Sequence, residues 1–382
     1  MRQAIVLIYY NNARAKQQGN PFTLAVVVPA KQEDLAQEIL RGVAQAQNQF
    51  NEKGGLNGRL LEIAIANDDN EADNAKQVAA ELEKDSSVLA VIGHNASDTT
   101  KAALETYRKA PLAVISPTST STLLNDSDNN VFFRTVPSDA ATGEKLATYA
   151  KKSLGINNVV IFYNSGSSYS NSLREEFTKK FEYLLRNRVV KKIDLKHSKR
   201  NEWKNELGNS VDKDNAQAAV LFPGTESTSK ALEFASLVAE INTRLKNRTN
   251  NQGRKELKLL GGDALYSNTT LQHGDKDIEG LILAVPWFRE APQSKEFAQA
   301  AQTQWRGNIS WRTAASFDAT QALIKALSPS ASRSTVMKTL PNVKVEASET
   351  SGEILQFDKH GERQTKPFLV KVVGGKFELV QE

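Results

Sequence analysis

The chain contains no cysteine. That absence excludes disulfides, thiolate metal sites, a cysteine nucleophile and lipid attachment through a thiol. It leaves the compartment open, because a large exported domain can fold without disulfides. Histidine is scarce: His94, His197, His273 and His360 stand far apart, and no pair has the H-x-x-x-H spacing of two zinc ligands. No metal and no other cofactor is therefore expected. No apolar run is long enough to span a bilayer. Blocks of Lys and Arg with interleaved aromatics are missing too, and the net charge of +5 is a small difference between 49 basic and 44 acidic residues. Nucleic acid is not an expected partner. The phosphate loop G-x-x-x-x-G-K-[ST] and the nucleophile elbow G-x-S-x-G do not occur, and no G-x-G-x-x-G follows the first strand.

At 382 residues the chain is too long for one compact core, so two lobes are expected. Arg2, the apolar run Ala4–Tyr10 and Ala13-Arg14-Ala15 look like a shortened export signal, so residues 1–21 read as a leader or anchor remnant. From Pro21 onward, strand-like and helix-like segments alternate. Phe22–Val28 is an apolar strand, and Leu35–Phe50 has helical spacing ending at Gly54-Gly55. Leu60–Ala66, Val88–Ile92 and Leu112–Ile115 read as strands, with helices at Ala72–Lys84 and Asp98–Arg108. The pattern restarts with Phe132–Arg134, a helix over Ala140–Lys152 with Asp139 as its N-cap, strand Asn158–Tyr163 and helix Ser170–Leu185. Strands Val189–Leu195, Ala218–Phe222, Leu257–Leu260 and Leu281–Ala284 follow, then helices Ser294–Arg306 and Ala314–Leu327. The tail returns to strands at Glu353–Phe357, Phe368–Val373 and Phe377–Val380. This alternation predicts an α/β protein of two doubly wound lobes, each a mostly parallel sheet with helices on both faces.

Such sheets bind ligands beyond the carboxyl ends of their strands. The informative residues are then those that follow each strand. Ser97 and Asp98 open a helix, whose free N–H groups and positive end suit an anion. Ser116, Thr118, Ser119 and Thr120 add hydroxyls, Asp139 and Asp263 add carboxylates, and Tyr169 adds a phenol. The set fits a small zwitterion, with its carboxylate at Ser97 and its ammonium near Asp263, Asp139 and Tyr169. Taken singly, Ser97 and Asp139 are better explained as N-caps, and Thr118–Thr122 as a solvated loop, Tyr169 as a half-buried helix residue and Asp263 as a turn residue; their joint placement at strand ends is what favours a ligand site. His94, Ser97 and Asp98 have the residue types of a hydrolase triad. They are too close in sequence for the required in-line order, so no catalytic residue is assigned.

Several stretches resemble the type I periplasmic solute-binding proteins, in particular the branched-chain (Leu/Ile/Val) amino-acid-binding family of ABC transporters. They are NEKGGLNGRLLEIAIANDD (51–69), VIGHNASDTTKAA (91–103), AVISPTSTS (113–121), VFFRTVPSD (131–139), VVIFYNSGSSYSNSL (159–173), GGDALYSN (261–268), EGLILAVPW (279–287) and SFDATQALIKAL (316–327), in family order. The resemblance implies a Venus-flytrap fold joined by three crossover strands, placed near Pro137, Ala284 and Glu349. Lobe 1 would then hold residues 22–137 and 285–348, and lobe 2 residues 138–284 and 349–382. It implies that Ser97 holds the ligand carboxylate, Thr120 contacts both charged groups, and Thr118 offers its carbonyl to the ammonium. Asp139 would be the hinge-side aspartate, Tyr169 the tyrosine of the second lobe, and Asp263 the acid that takes the ammonium. Asn95, Ala96, the loop around Pro29–Leu35 with Lys31, and Trp287 are candidates for the side-chain pocket.

The sequence departs from the family in that first loop, which lacks G-P-x-x-G, at Tyr169-Ser170 where the family has Tyr-Gly, and at Ala96, a disulfide position in bacterial members. The function implied is a periplasmic or cell-surface protein, expected to be a monomer. It would capture a neutral aliphatic α-amino acid between its lobes and deliver it to a membrane permease and ATPase. The alternatives are the ligand-sensing ectodomain of a receptor and, ranked below it, a hydrolase using the Ser97 loop.

Overall fold

A computed structural model describes residues 2–125, 131–247 and 256–381. The chain divides into two compact units, Met1–Ser138 with Trp287–Thr365, and Asp139–Pro286 with Lys366–Glu382.

The first unit opens with α1 (Arg2–Gln18), β1 (Phe22–Val28), α2 (Glu33–Glu52), β2 (Leu61–Asn67), α3 (Ala72–Lys84), β3 (Val88–Ile92), α4 (Ser97–Lys109), β4 (Ala113–Ser116) and β5 (Phe132–Arg134). The strands form one parallel sheet in the order β2-β1-β3-β4-β5. Strands β1, β3 and β4 are buried along their whole length, which is why they read as continuous apolar runs rather than alternating ones. One core gathers Ala25, Val27, Val91 and Val114 from the sheet with Leu82, Leu104 and Tyr107 from the helices.

The segment expected to be a leader is helical and packed. Residues 2–18 form α1, whose Ala4, Ile8, Asn11 and Ala15 are buried. It docks through amides. Strand β2 lies at the sheet edge. The outward-facing polar groups of its backbone are met by side chains. Asn12 Oδ1 accepts from the Ile63 N–H (2.9 Å) and its Nδ2 donates to the Ile63 carbonyl (2.8 Å). Asn51 of α2 does the same for Leu61, at 2.7 and 3.0 Å. Helices thus cover an edge that would otherwise offer itself to another strand. The spacing Ala4, Ile8, Ala15 is the buried stripe of α1.

The second unit continues with α5 (Asp139–Lys152), β6 (Asn158–Tyr163), α6 (Ser168–Thr178), β7 (Arg188–Asp194), α7 (Arg200–Asp212), β8 (Ala218–Phe222), α8 (Thr228–Lys246), β9 (Lys258–Gly261), α9 (Asn268–Gly274) and β10 (Ile282–Val285). The helix expected to run to Leu185 changes to π geometry over Lys179–Leu184. The chain then re-enters the first unit as α10 (Lys295–Trp305), α11 (Trp311–Ala326), α12 (Arg333–Thr339), β11 (Lys344–Val345) and β12 (Leu355–Gln356). It ends in the second unit with β13 (Phe368–Val373) and β14 (Lys376–Leu379), giving the order β14-β13-β10-β9-β8-β6-β7. Pairings from β7 to β10 are parallel, and β13 and β14 add an antiparallel edge. Phe177 packs between Phe181 and Phe222, at ring centroids 5.2 and 5.6 Å away, in the core of this unit.

The third passage between units falls after Thr365, not near Glu349. Residues 349–365 stay with the first unit because β12 pairs with β11 there, and because Arg363 donates to Asp318 of α11 at 2.6 Å.

Candidate functional site

In the first unit the residues after β3 and β4 are stitched into one polar cluster. Gly93 has φ +132°, and a Cβ there would stand 2.9 Å from the Val27 carbonyl oxygen, so the turn out of β3 requires glycine. His94 follows and is fully buried. Its Nδ1 lies 2.6 Å from Asp68 Oδ2 and its Nε2 2.9 Å from Tyr107 Oη. The carboxylate accepts the Nδ1 proton, and Nε2 is hydrogen-bonded to the phenol. The Tyr107 phenol is pushed up from its usual range by burial first and the Asp68 charge second. Both ring nitrogens are therefore engaged by scaffold groups, and the triad suggested by residue type does not form.

The carbonyls of the same turn hold the neighbouring loop. His94 O accepts from Ser116 Oγ at 2.8 Å and Ser119 Oγ at 3.2 Å. Asn95 O accepts from Thr118 Oγ1 at 2.7 Å, and the Asn95 amide donates to Asn70 at 3.2 Å. The Ser121 N–H donates to Ser97 Oγ at 3.3 Å, which brings the loop to the start of α4. Ser97 was open to a reading as N-cap. The structure corrects this: Ala96 is the N-cap, it has no side chain to accept a bond, and Ser97 is the first helical residue. The helix thus begins with first-turn N–H groups that its N-cap side chain does not satisfy. Thr120 is 2% exposed and its Oγ1 has no hydrogen-bond partner among the described residues. A buried hydroxyl left in that state is costly in the empty protein unless something else meets it.

Arg134, at the end of β5, was missed by sequence reasoning. Its guanidinium is buried and donates to the carbonyls of Ser119 (3.2 Å) and Ser121 (3.0 Å), the two neighbours of Thr120. A lone cation inside the apolar strand FFR was the available signal.

Lys31 is exposed and paired with Asp69 at 3.1 Å, which lowers the Asp69 carboxyl below its ordinary range. Trp287 belongs to another network of this unit. Its indole N–H donates to the Ser351 carbonyl at 3.0 Å, and Ser351 in turn donates to Asp318 from its N–H (2.6 Å) and hydroxyl (2.8 Å).

In the second unit, the loops after β6 and β9 meet. Tyr169, half-buried in the first turn of α6, donates its hydroxyl to Asp263 Oδ1 at 3.0 Å. The Ala264 N–H in turn donates to the Tyr169 Oη at 3.4 Å. The phenol is held well above its ordinary range, by burial first and then by the charges of Asp263 and Asp139. Both carboxylates therefore act on this one phenol. Asp139 is fully buried and is the first residue of α5 rather than its N-cap. Gly262 makes the contact possible: a Cβ there would lie 2.4 Å from Tyr169 Oη and 2.6 Å from Leu173 Cδ2. Ser170, where the family pattern has glycine, receives the Asn164 N–H at 2.8 Å and ties the loop to the end of β6.

This polar chemistry at strand ends can be set against known proteins. A family model for periplasmic binding protein matches residues 29–376. The chain belongs to the periplasmic binding protein family. Its fold is that of the type I members. An ABC transporter substrate-binding protein from Desulfitobacterium hafniense, solved in complex with Leu, superposes with TM-score 0.78 at 23% identity, over 94% of this chain and 100% of that one. The leucine binding protein LivK of Thermotoga maritima gives TM-score 0.78 at 20% identity, over 94% and 97%. A protein described as amino acid binding protein from Pseudomonas aeruginosa is 27% identical over 148 residues, which spans 38% of this chain and 40% of that protein's length. The family is a solute-binding, non-catalytic one. None of the described helices is long and apolar enough to cross a membrane. Among the described residues, no group of three or more His, Asp or Glu side chains gathers to hold a metal ion.

Proposed function

We propose that this periplasmic binding protein captures a free α-amino acid outside the cytoplasm and hands it to the permease and ATPase of an ABC importer. The observation that carries the reading is the Thr120 hydroxyl, buried without a partner next to the uncapped start of α4. A carboxylate fits there: it would accept from Thr120, from Ser97 and from the first-turn N–H groups. In the second unit, Asp263 is already oriented by Tyr169, and Asp139 adds a second negative charge. An ammonium fits that chemistry. Asn95 and Ala96 border the start of α4, and they and Trp287 are the proposed side-chain contacts. A neutral aliphatic side chain is favoured, since Lys31 is already paired with Asp69. A micromolar affinity corresponds to about 8 kcal/mol, within reach of a few charge-assisted hydrogen bonds.

The test is a thermal-shift screen of the purified chain against the proteinogenic L-amino acids, followed by calorimetry. A bound amino acid raises the melting temperature by mass action. Asp263→Ala should remove the rise. No amino acid raising the melting temperature, or a rise that survives Asp263→Ala unchanged, would sink the reading.

A further inference from the structure

The Thr118–Ser121 loop is held from behind by a device that the amino-acid chemistry does not itself require. Arg134 grips the carbonyls on either side of Thr120. Its charge is balanced by Glu362, whose carboxylate lies 3.0 Å from the guanidinium. Glu362 also accepts from the Asn125 side chain at 2.6 Å, just beyond the same loop. One carboxylate therefore organises both the cation behind the loop and the residue at its exit.

The positions of the two residues along the chain give the pair a second property. The Arg134 N–H donates to the Gly361 carbonyl at 3.0 Å, so the two backbones are joined as well. Arg134 precedes the passage after Ser138, and Glu362 precedes the passage after Thr365. Neighbouring residues repeat the link: Arg363 donates to the Thr135 carbonyl at 3.1 Å, and the Thr135 N–H donates to the Ser116 carbonyl at 3.2 Å. We propose that Arg134 and Glu362 are positioning residues that set the Thr118–Ser121 loop for carboxylate binding and couple its geometry to the two chain segments that leave the first unit. The role assigned to the loop rests on the proposed function; the mechanical link rests on the contacts alone.

Glu362 also makes the device testable by pH. Its carboxyl is raised above the ordinary range by burial, opposed by Arg134 and reinforced by Asp358; Ser138 and His360 act against the rise. It therefore takes up a proton at a higher pH than a free glutamate, and Arg134 then loses its counter-charge.

The experiment is hydrogen exchange on the full chain without any amino acid, followed over residues 117–125, with the strands of the second unit as internal reference. Glu362→Gln should speed exchange of that segment by about tenfold, the loss expected when a charge-assisted contact goes, and leave the reference unchanged. Glu362→Asp, which keeps the charge, should restore part of the protection. In the wild type, protection of the segment corrected for intrinsic chemistry should fall with falling pH as Glu362 takes up its proton, at a higher pH than a free glutamate would. This arm stands even where Glu362→Gln does not fold. Unchanged exchange in Glu362→Gln, or protection that does not change as the pH is lowered, overturns the link. Calorimetry with L-leucine separates the two readings. If leucine binds the wild type, Glu362→Gln should weaken it about tenfold. Equal leucine affinity with a loosened loop would refute the positioning role, whereas no binding of any amino acid to the wild type would refute the proposed function and leave the exchange result to judge the link.

Discussion

Replacing Asn12 by leucine tests whether α1 is an integral part of the first unit. Leucine has a side chain of similar size and shape but lacks the amide. The amide accepts the Ile63 N–H at 2.9 Å, donates to the Ile63 carbonyl at 2.8 Å, and accepts from Gln47 Nε2 at 2.8 Å. Gln47 keeps a second acceptor in the Leu61 carbonyl at 3.0 Å. Ile63 has no such reserve on that side, and it is 1% exposed. Two buried backbone groups left unsatisfied cost about 1–3 kcal/mol each. Water reaching the half-buried Asn12 position recovers part of this. The expected loss is about 2–4 kcal/mol, equivalent to a fall of roughly 5–12 °C in melting temperature for a domain of this size. Trp287, Trp305 and Trp311 lie in the first unit and Trp203 in the second, so urea unfolding followed by tryptophan fluorescence reports mainly the affected unit. A loss below about 0.5 kcal/mol, the scatter of ordinary surface substitutions, would refute the reasoning.

Thr120→Val should leave the empty protein as stable as the wild type or slightly more so, because its hydroxyl has no partner to lose. The same change should weaken amino-acid binding about tenfold by calorimetry, and equal affinity would remove Thr120 from the site. Gly262→Ala places a methyl group 2.4 Å from Tyr169 Oη, so the tyrosine must move; affinity should fall by roughly 1–3 kcal/mol, and a crystal structure showing Tyr169 still bonded to Asp263 would contradict this. His94→Ala leaves the buried Asp68 carboxylate without its 2.6 Å partner and should cost about 3–5 kcal/mol in denaturant unfolding. Undiminished stability, together with an esterase activity lost in the variant, would favour a catalytic histidine instead.

What the sequence determined by itself is the local order of the fold. Strands such as Phe22–Val28 and Ala218–Phe222 are apolar along their length because both faces are covered, and that pattern survives in a linear reading. The strand-end loops follow from it, and with them Ser97, Thr120, Tyr169 and Asp263 as candidates. Tertiary structure alone decided which of these are joined. Tyr169 and Asp263 meet because β8 lies between β6 and β9 in the sheet, and because Gly262 leaves room for the phenol. Arg134 and Glu362 pair across most of the chain's length, so no window of sequence contains both. The first helix shows the same division. Its apolar stripe is visible in Ala4, Ile8 and Ala15, but only the tertiary structure shows Asn12 with its amide against the backbone of β2. Periodicity reports which side of an element is buried; it holds no information on what the buried side touches.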